Sequence, residues 1–159
     1  MSRSGGTTLI ALLIVVLLGG AGYFLFFAGS FGAGARSSAD PDDGRLVAEG
    51  QQVYIQYCAS CHGRDLEGQR NWRTPLSSGV LPAPPHDETG HTWHHADEVL
   101  FEYTKFGGRR FVGESGKSGM PGFGALLDDH RIWAAIAYIK STWPAEIRKH
   151  QARLGAQER

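Results

Sequence analysis

The chain has 159 residues and is formally neutral, with 16 Lys+Arg against 16 Asp+Glu. Nothing in this balance suggests a nucleic-acid partner, which would need a basic face, so none is expected. The length leaves room for one small domain besides a terminal segment, and the 2 cysteines exclude a disulfide-rich scaffold.

Residues 4–35 carry no charged side chain, and Thr7 to Phe27 is almost wholly apolar. As a helix this stretch would extend about 31 Å at ~1.5 Å per residue, enough to cross about 30 Å of bilayer hydrocarbon. Arg3 on the N-terminal flank orients the N-terminus inside and exports everything from Arg36 onward. The competing reading is a cleaved signal peptide, with Leu9 to Leu18 as its apolar region and Ala33-Gly34-Ala35 as its cleavage site. The run Tyr23-Phe24-Leu25-Phe26-Phe27 is long for such a peptide and favours an uncleaved anchor.

Gly29 to Asp43 is small, polar and glycine-rich, as in a flexible tether. Asp42 or Asp43 is placed to cap a first helix running to about Tyr57, with Leu46, Gly50, Val53 and Tyr57 at helical spacing. Gly63 to Thr92, with Pro75, Pro82, Pro84 and Pro85, reads as a loop too long for a compact domain unless something organises it. A second helix opens on Asp97 and Glu98, acids suited to the first turn, and closes at Lys105 and Gly107. Gly108 to Leu127 is a second glycine-rich loop. A third helix starts at Asp128 or Asp129 with the stripe Ile132, Ile136, Ile139 and Trp143, flanked by Trp133 and Tyr138, and Pro144 closes it. The expected boundaries are 1–35 for the anchor and start of the tether, 36–45 for the linker, 46–144 for the domain, and 145–159 for a charged exposed helix or tail.

Both cysteines fall in Cys58-Ala59-Ser60-Cys61-His62. Two thiols three positions apart followed by an imidazole are what covalent attachment of a c-type haem needs, with His62 placed to bind the iron. A zinc site would want a second Cys or His pair; no further cysteine exists, although His86, His91, His94 and His95 lie downstream. A thiol-redox pair would sit beside a βαβ pattern, and no strand-like alternation surrounds Cys58. A disulfide across so small a loop would stabilise little. A haem would supply the apolar centre and organise the long loop. Export to the periplasm, where bacteria attach c-type haem, agrees with the N-terminal segment. The expected location is the bacterial inner membrane, single-pass, with the domain in the periplasm, or soluble periplasmic after cleavage.

The sixth iron position falls to Met120, the one methionine besides Met1, in the loop Ser118-Gly119-Met120-Pro121-Gly122-Phe123-Gly124. Small residues let backbone and sulfur approach a porphyrin closely, Pro121 limits loop motion, and a thioether raises the reduction potential. A core-filling methionine is the bland alternative. A histidine from the His86–His95 cluster is the rival ligand; that cluster otherwise reads as a solvated polar loop or a copper or zinc site.

Together these residues resemble the class I cytochrome c family over about Leu46 to Trp143. Gly50, Tyr54 and Cys58 to His62 match its first helix and haem motif. Ile136 to Lys140 matches its last helix, whose aromatic, here Tyr138, would meet Gly50 and Tyr54. The axial methionine of the family falls on Met120. A family proline offers a backbone contact to the proximal imidazole; Pro75, Pro84 and Pro85 are all candidates. The resemblance implies an all-α, small cytochrome c-like fold around one covalent haem c, preceded by a single transmembrane helix. It implies a one-electron carrier rather than an enzyme, in membrane-anchored bacterial monohaem form, serving a quinol-oxidising cytochrome complex and a terminal oxidase. Two rivals remain: a haem sensor or small-ligand enzyme with a labile sixth ligand, and a histidine-rich copper-binding protein.

Overall fold

The computed structural model describes residues 38–111 and 117–157. Among them are the helices α1 (Gly44–Tyr57), α2 (Ala59–His62), α3 (Asp97–Phe106), α4 (Asp129–Ser141) and α5 (Ala145–Gln157), and the two-residue strands β1 (Val80–Leu81) and β2 (Lys117–Ser118). The helical architecture agrees with the all-α expectation. The expected membrane segment, residues 7–27, lies outside the described residues, and no described helix is long and apolar enough to cross a membrane.

Local chemistry starts the helices where the sequence places them. Asp43 caps α1, its carboxylate accepting from the amides of Arg45 at 3.0 Å and Leu46 at 3.2 Å. Asp128 caps α4 by accepting from the Arg131 amide at 2.9 Å. Gly107 ends α3 with φ +82°, a backbone conformation that favours glycine. Further space is denied there too: a Cβ on Gly107 would lie 2.7 Å from the Gly122 amide nitrogen.

The core forms where α1 crosses α4. Gly50 permits the crossing, since a Cβ there would overlap the Ala134 carbonyl and come within 3.0 Å of Tyr138 Cβ. Leu46 and Val53 from α1 and Ile132, Ala134 and Ile136 from α4 fill the interface, all buried. Trp133 stacks on Phe101 of α3 with ring centroids 4.4 Å apart. The expected stripe Ile132, Ile136, Ile139 and Trp143 is buried throughout; three further alanines widen it until α4 is apolar on most of its circumference. Tyr54, Leu66, Ile139 and Trp143 make a second cluster, against which Cys58 and Ala59 pack. The helix that carries the cysteines is thereby continuous with the core.

Four features depart from the sequence reading. The linker ends earlier than expected, because Ala39 is already buried in the core. The helix α4 stops at Ser141, not at Pro144, whose carbonyl instead accepts from the Arg148 amide at the start of α5. The last helix is docked rather than merely exposed: Gln151 is 2% exposed and donates to Asp97 Oδ1 at 2.7 Å and to the His95 carbonyl at 3.1 Å. The same carboxylate accepts from Lys140 Nζ at 2.7 and 2.8 Å, so one acid ties α3, α4 and α5 together. Finally, the long proline-rich loop carries β1, which pairs in parallel with β2 in the register Val80 to Lys117 and Leu81 to Ser118.

That loop is laced by its own hydrogen bonds. The Gly68 amide donates to the His62 carbonyl at 2.8 Å, Gln69 and Ala83 exchange two bonds of 2.8 Å, and the His86 amide donates to the Leu66 carbonyl at 2.8 Å. Leu66, with φ +63°, turns its side chain into the second cluster while its carbonyl receives the returning strand of the loop.

Candidate haem site

The end of α1 and the single turn of α2 place Cys58, Cys61 and His62 together. The Cys61 and His62 amides both donate to the Cys58 carbonyl, at 3.1 and 3.0 Å, closing the turn. Cys58 is half-buried and Cys61 exposed. Burial, followed by the neighbouring Cys61, pushes the Cys58 thiol up to about 12. A redox-active thiol needs the opposite shift.

His62 is 7% exposed, and its Nδ1 lies 2.8 Å from the Pro84 carbonyl oxygen. A carbonyl can only accept, so Nδ1 carries the proton and Nε2 keeps its lone pair. Burial pulls the imidazole below its usual range, outweighing the opposite effect of the Pro84 bond, and keeps the ring neutral. A neutral histidine with its second nitrogen anchored to a backbone carbonyl is the arrangement that metal-ligating imidazoles use. Of the three prolines that the sequence leaves open, the structure selects Pro84. Tyr54 reinforces the same turn, its hydroxyl donating to the Gly63 carbonyl at 3.0 Å. These thiols and this imidazole are the donor set that a covalently attached haem requires, and they fit it.

His86 lies on the same side as His62. Their rings stack with centroids 4.0 Å apart and planes 22° from parallel. The His86 ring thus lies against the face of the His62 ring, a placement that does not favour it as a ligand opposite His62. Its Nδ1 lies 2.8 Å from Thr92 Oγ1, and its carbonyl accepts from the Trp143 indole at 2.7 Å. Desolvation, followed by His62 and His91, holds His86 well below the usual imidazole range. His91 stacks on Trp72 at 5.3 Å and His94 on Trp93 at 3.7 Å, so aromatic packing occupies these faces of the remaining histidines. Among the described residues no group of three or more His, Cys, Asp or Glu side chains converges to hold a metal ion.

Met120 comes from a separate loop and is half-buried. Its amide donates to Ser118 Oγ at 3.2 Å and its carbonyl accepts from the Gly108 amide at 3.1 Å. Beyond it, the Phe123 and Gly124 amides donate to the Thr104 and Lys105 carbonyls at 2.9 and 3.0 Å, seating the loop on the end of α3. Phe123 meets Tyr57, the neighbour of Cys58, edge-on with centroids 6.3 Å apart. The methionine loop therefore touches the helix end that carries the cysteines.

The Pro84 carbonyl, the Tyr54 hydroxyl and the His86 stack were not legible beforehand. Pro84 precedes another proline, which holds its backbone extended and its carbonyl outside any helix, but Pro75 and Pro85 are loop residues too.

Residues 45–139 match the family model described as cytochrome C oxidase, cbb3-type, subunit III. No solved structure matches the chain. The match runs from the first turn of α1 nearly to the end of α4 and includes Cys58, Cys61, His62 and Met120. The chain therefore belongs to this family of class I c-type cytochrome domains, whose membership implies covalently bound haem c with its iron and haem-based electron transfer.

Proposed function

We propose that this protein is a one-electron carrier in which Cys58 and Cys61 hold the haem, His62 is the proximal ligand and Met120 the distal one. The observation that carries the reading is the His62 Nδ1 bond to the Pro84 carbonyl, 2.8 Å long, which fixes the tautomer and orients Nε2 for iron. Haem c supplies a one-electron iron couple when bound. The chain's residues do the rest. The buried Tyr54, Leu66 and Trp143 pack behind the attachment turn and limit its motion, which keeps reorganisation on electron transfer small. With both axial positions filled from the protein, no open coordination site is left for a substrate, so the domain itself is a carrier and not an enzyme.

Residues 7–27 anchor the chain in the bacterial inner membrane, with the N-terminus inside and the domain in the periplasm. The anchor supports a transient interface by confining encounters to the membrane surface. The family's name refers to a cbb3-type oxidase, and a terminal oxidase is accordingly the partner class we assign. This chain could serve it as a subunit or as an anchored donor, receiving electrons from a quinol-oxidising cytochrome complex.

A reduced-minus-oxidised spectrum of membranes, with haem staining of a denaturing gel, tests attachment and retention together. Stained haem at the mass of the full chain is expected, and its disappearance in the Cys58→Ser, Cys61→Ser variant. In the oxidised protein a far-red thioether-to-iron charge-transfer band is expected. A bis-histidine spectrum, or rapid binding of carbon monoxide to the reduced protein at neutral pH, would remove Met120 from the site.

A further inference from the structure

Met120 is held from two sides, and the two are built differently. Downstream, Phe123 and Gly124 are bonded to the end of α3, which packs on the core through Leu100 and Phe101. Upstream, the chain enters through Lys117 and Ser118, which lie in β2 and pair with β1 of the long loop. That loop makes a tight turn there: the Gly79 amide donates to the Leu76 carbonyl at 2.8 Å and the Leu76 amide to the Val80 carbonyl at 2.9 Å, with Gly79 at φ +80°. Lys117 Nζ donates to the Ser78 carbonyl at 2.7 Å, and its stem lies over Gly79, where an added Cβ would meet Cδ at 3.4 Å. Ser118 then hands the restraint on, its Oγ accepting from the Met120 amide at 3.2 Å.

We propose that the Leu76–Val80 turn is a clasp on the methionine loop, closed by the Lys117-to-Ser78 bond, and that Lys117 is a positioning residue governing how readily Met120 leaves the iron. The inference rests on the axial role proposed for Met120. Two-residue strands with exposed flanks are the kind of element that opens locally while the core stays folded. Opening the clasp frees the upstream arm of the loop and leaves the downstream seat on α3 intact. The chain then has a graded restraint on the sixth position, and it comes from the long proline-rich loop rather than from the helical core.

The test is the rate at which imidazole binds the ferric full-length holoprotein, read beside the far-red band. Lys117→Ala should bind imidazole about fivefold faster than the unaltered protein, the shift in opening expected for one lost hydrogen bond. Lys117→Arg keeps a donor of similar reach and should restore the slower rate. Gly79→Ala strains the φ +80° turn from the other side and should reproduce the acceleration. In a Met120→Ala background, Lys117→Ala should change nothing, because the group that the clasp restrains is gone. Equal rates for Lys117→Ala and the unaltered protein, or the same acceleration in both backgrounds, would overturn the clasp while leaving Met120 as ligand. A missing far-red band in the unaltered protein would instead overturn the axial assignment, and the clasp with it.

Discussion

The two sides of the candidate haem site are built to different standards. On the His62 side every restraint leads into the core: Pro84 receives the ring nitrogen, Tyr54 bonds the Gly63 carbonyl, and Leu66 and Trp143 are buried behind them. On the Met120 side the restraints are backbone bonds to one helix end and a strand pair of two residues each, with Pro121, Gly122 and Gly124 exposed. Burial makes the first side expensive to disturb, because moving His62 means breaking packed apolar contacts as well as hydrogen bonds. Solvent competes for the bonds of the second side, so it can give way alone. The difference teaches that the His62 turn is fixed by the core, whereas the Met120 loop is held by restraints that can open locally.

Hydrogen exchange of the holoprotein gives the largest contrast. The amides of Ile136 and Ala137 in α4 should exchange about a thousandfold or more slowly than the Gly108 amide that bonds Met120. Comparable protection at both places would erase the distinction. Breaking the core side directly is next: Ile132→Ala, at a fully buried position, should lower unfolding free energy by about 2–5 kcal/mol in a denaturant titration. A more modest cut is Tyr54→Phe, which removes the bond to Gly63 and should cost about 1 kcal/mol. It should leave the far-red band unchanged, since the loss falls on the proximal side. The smallest effect concerns pH. Burial, then His95, His94 and Arg73, hold His91 below the usual imidazole range in the folded state. The unfolded chain then binds a proton more readily, so this contribution to stability is complete above about pH 6.5 and is lost as pH falls toward the folded value. His91→Gln should flatten the fall in melting temperature over that interval; an unchanged slope would assign the acid sensitivity elsewhere.

Much of the fold was legible because its signals are local. Asp43, Asp128 and Gly107 mark helix ends through bonds to residues two or three positions away, or through their own backbone angle. The haem motif is five consecutive residues, and the contact of Gly50 with α4 was implied by the family resemblance that Gly50, Tyr54 and Tyr138 carry. The strand pair was invisible, because two residues show no alternation and the pairing joins Val80 to Lys117 across the fold. The docking of α5 was hidden for a related reason: its composition is polar, and the one buried position, Gln151, looks like any surface glutamine until Asp97 and the His95 carbonyl are brought to it.

The order of residues alone determined the attachment chemistry and the helices that present it, since thiol spacing, caps and apolar periodicity act within a few positions of one another. Tertiary structure alone decided which prolyl carbonyl orients His62, that His86 shares its side, and how the methionine loop is restrained. Those choices depend on contacts between segments 20 to 40 residues apart, such as the bonds from His62 to Pro84 and from Lys117 to Ser78. Only closure of the chain around its buried core brings such groups within hydrogen-bonding distance.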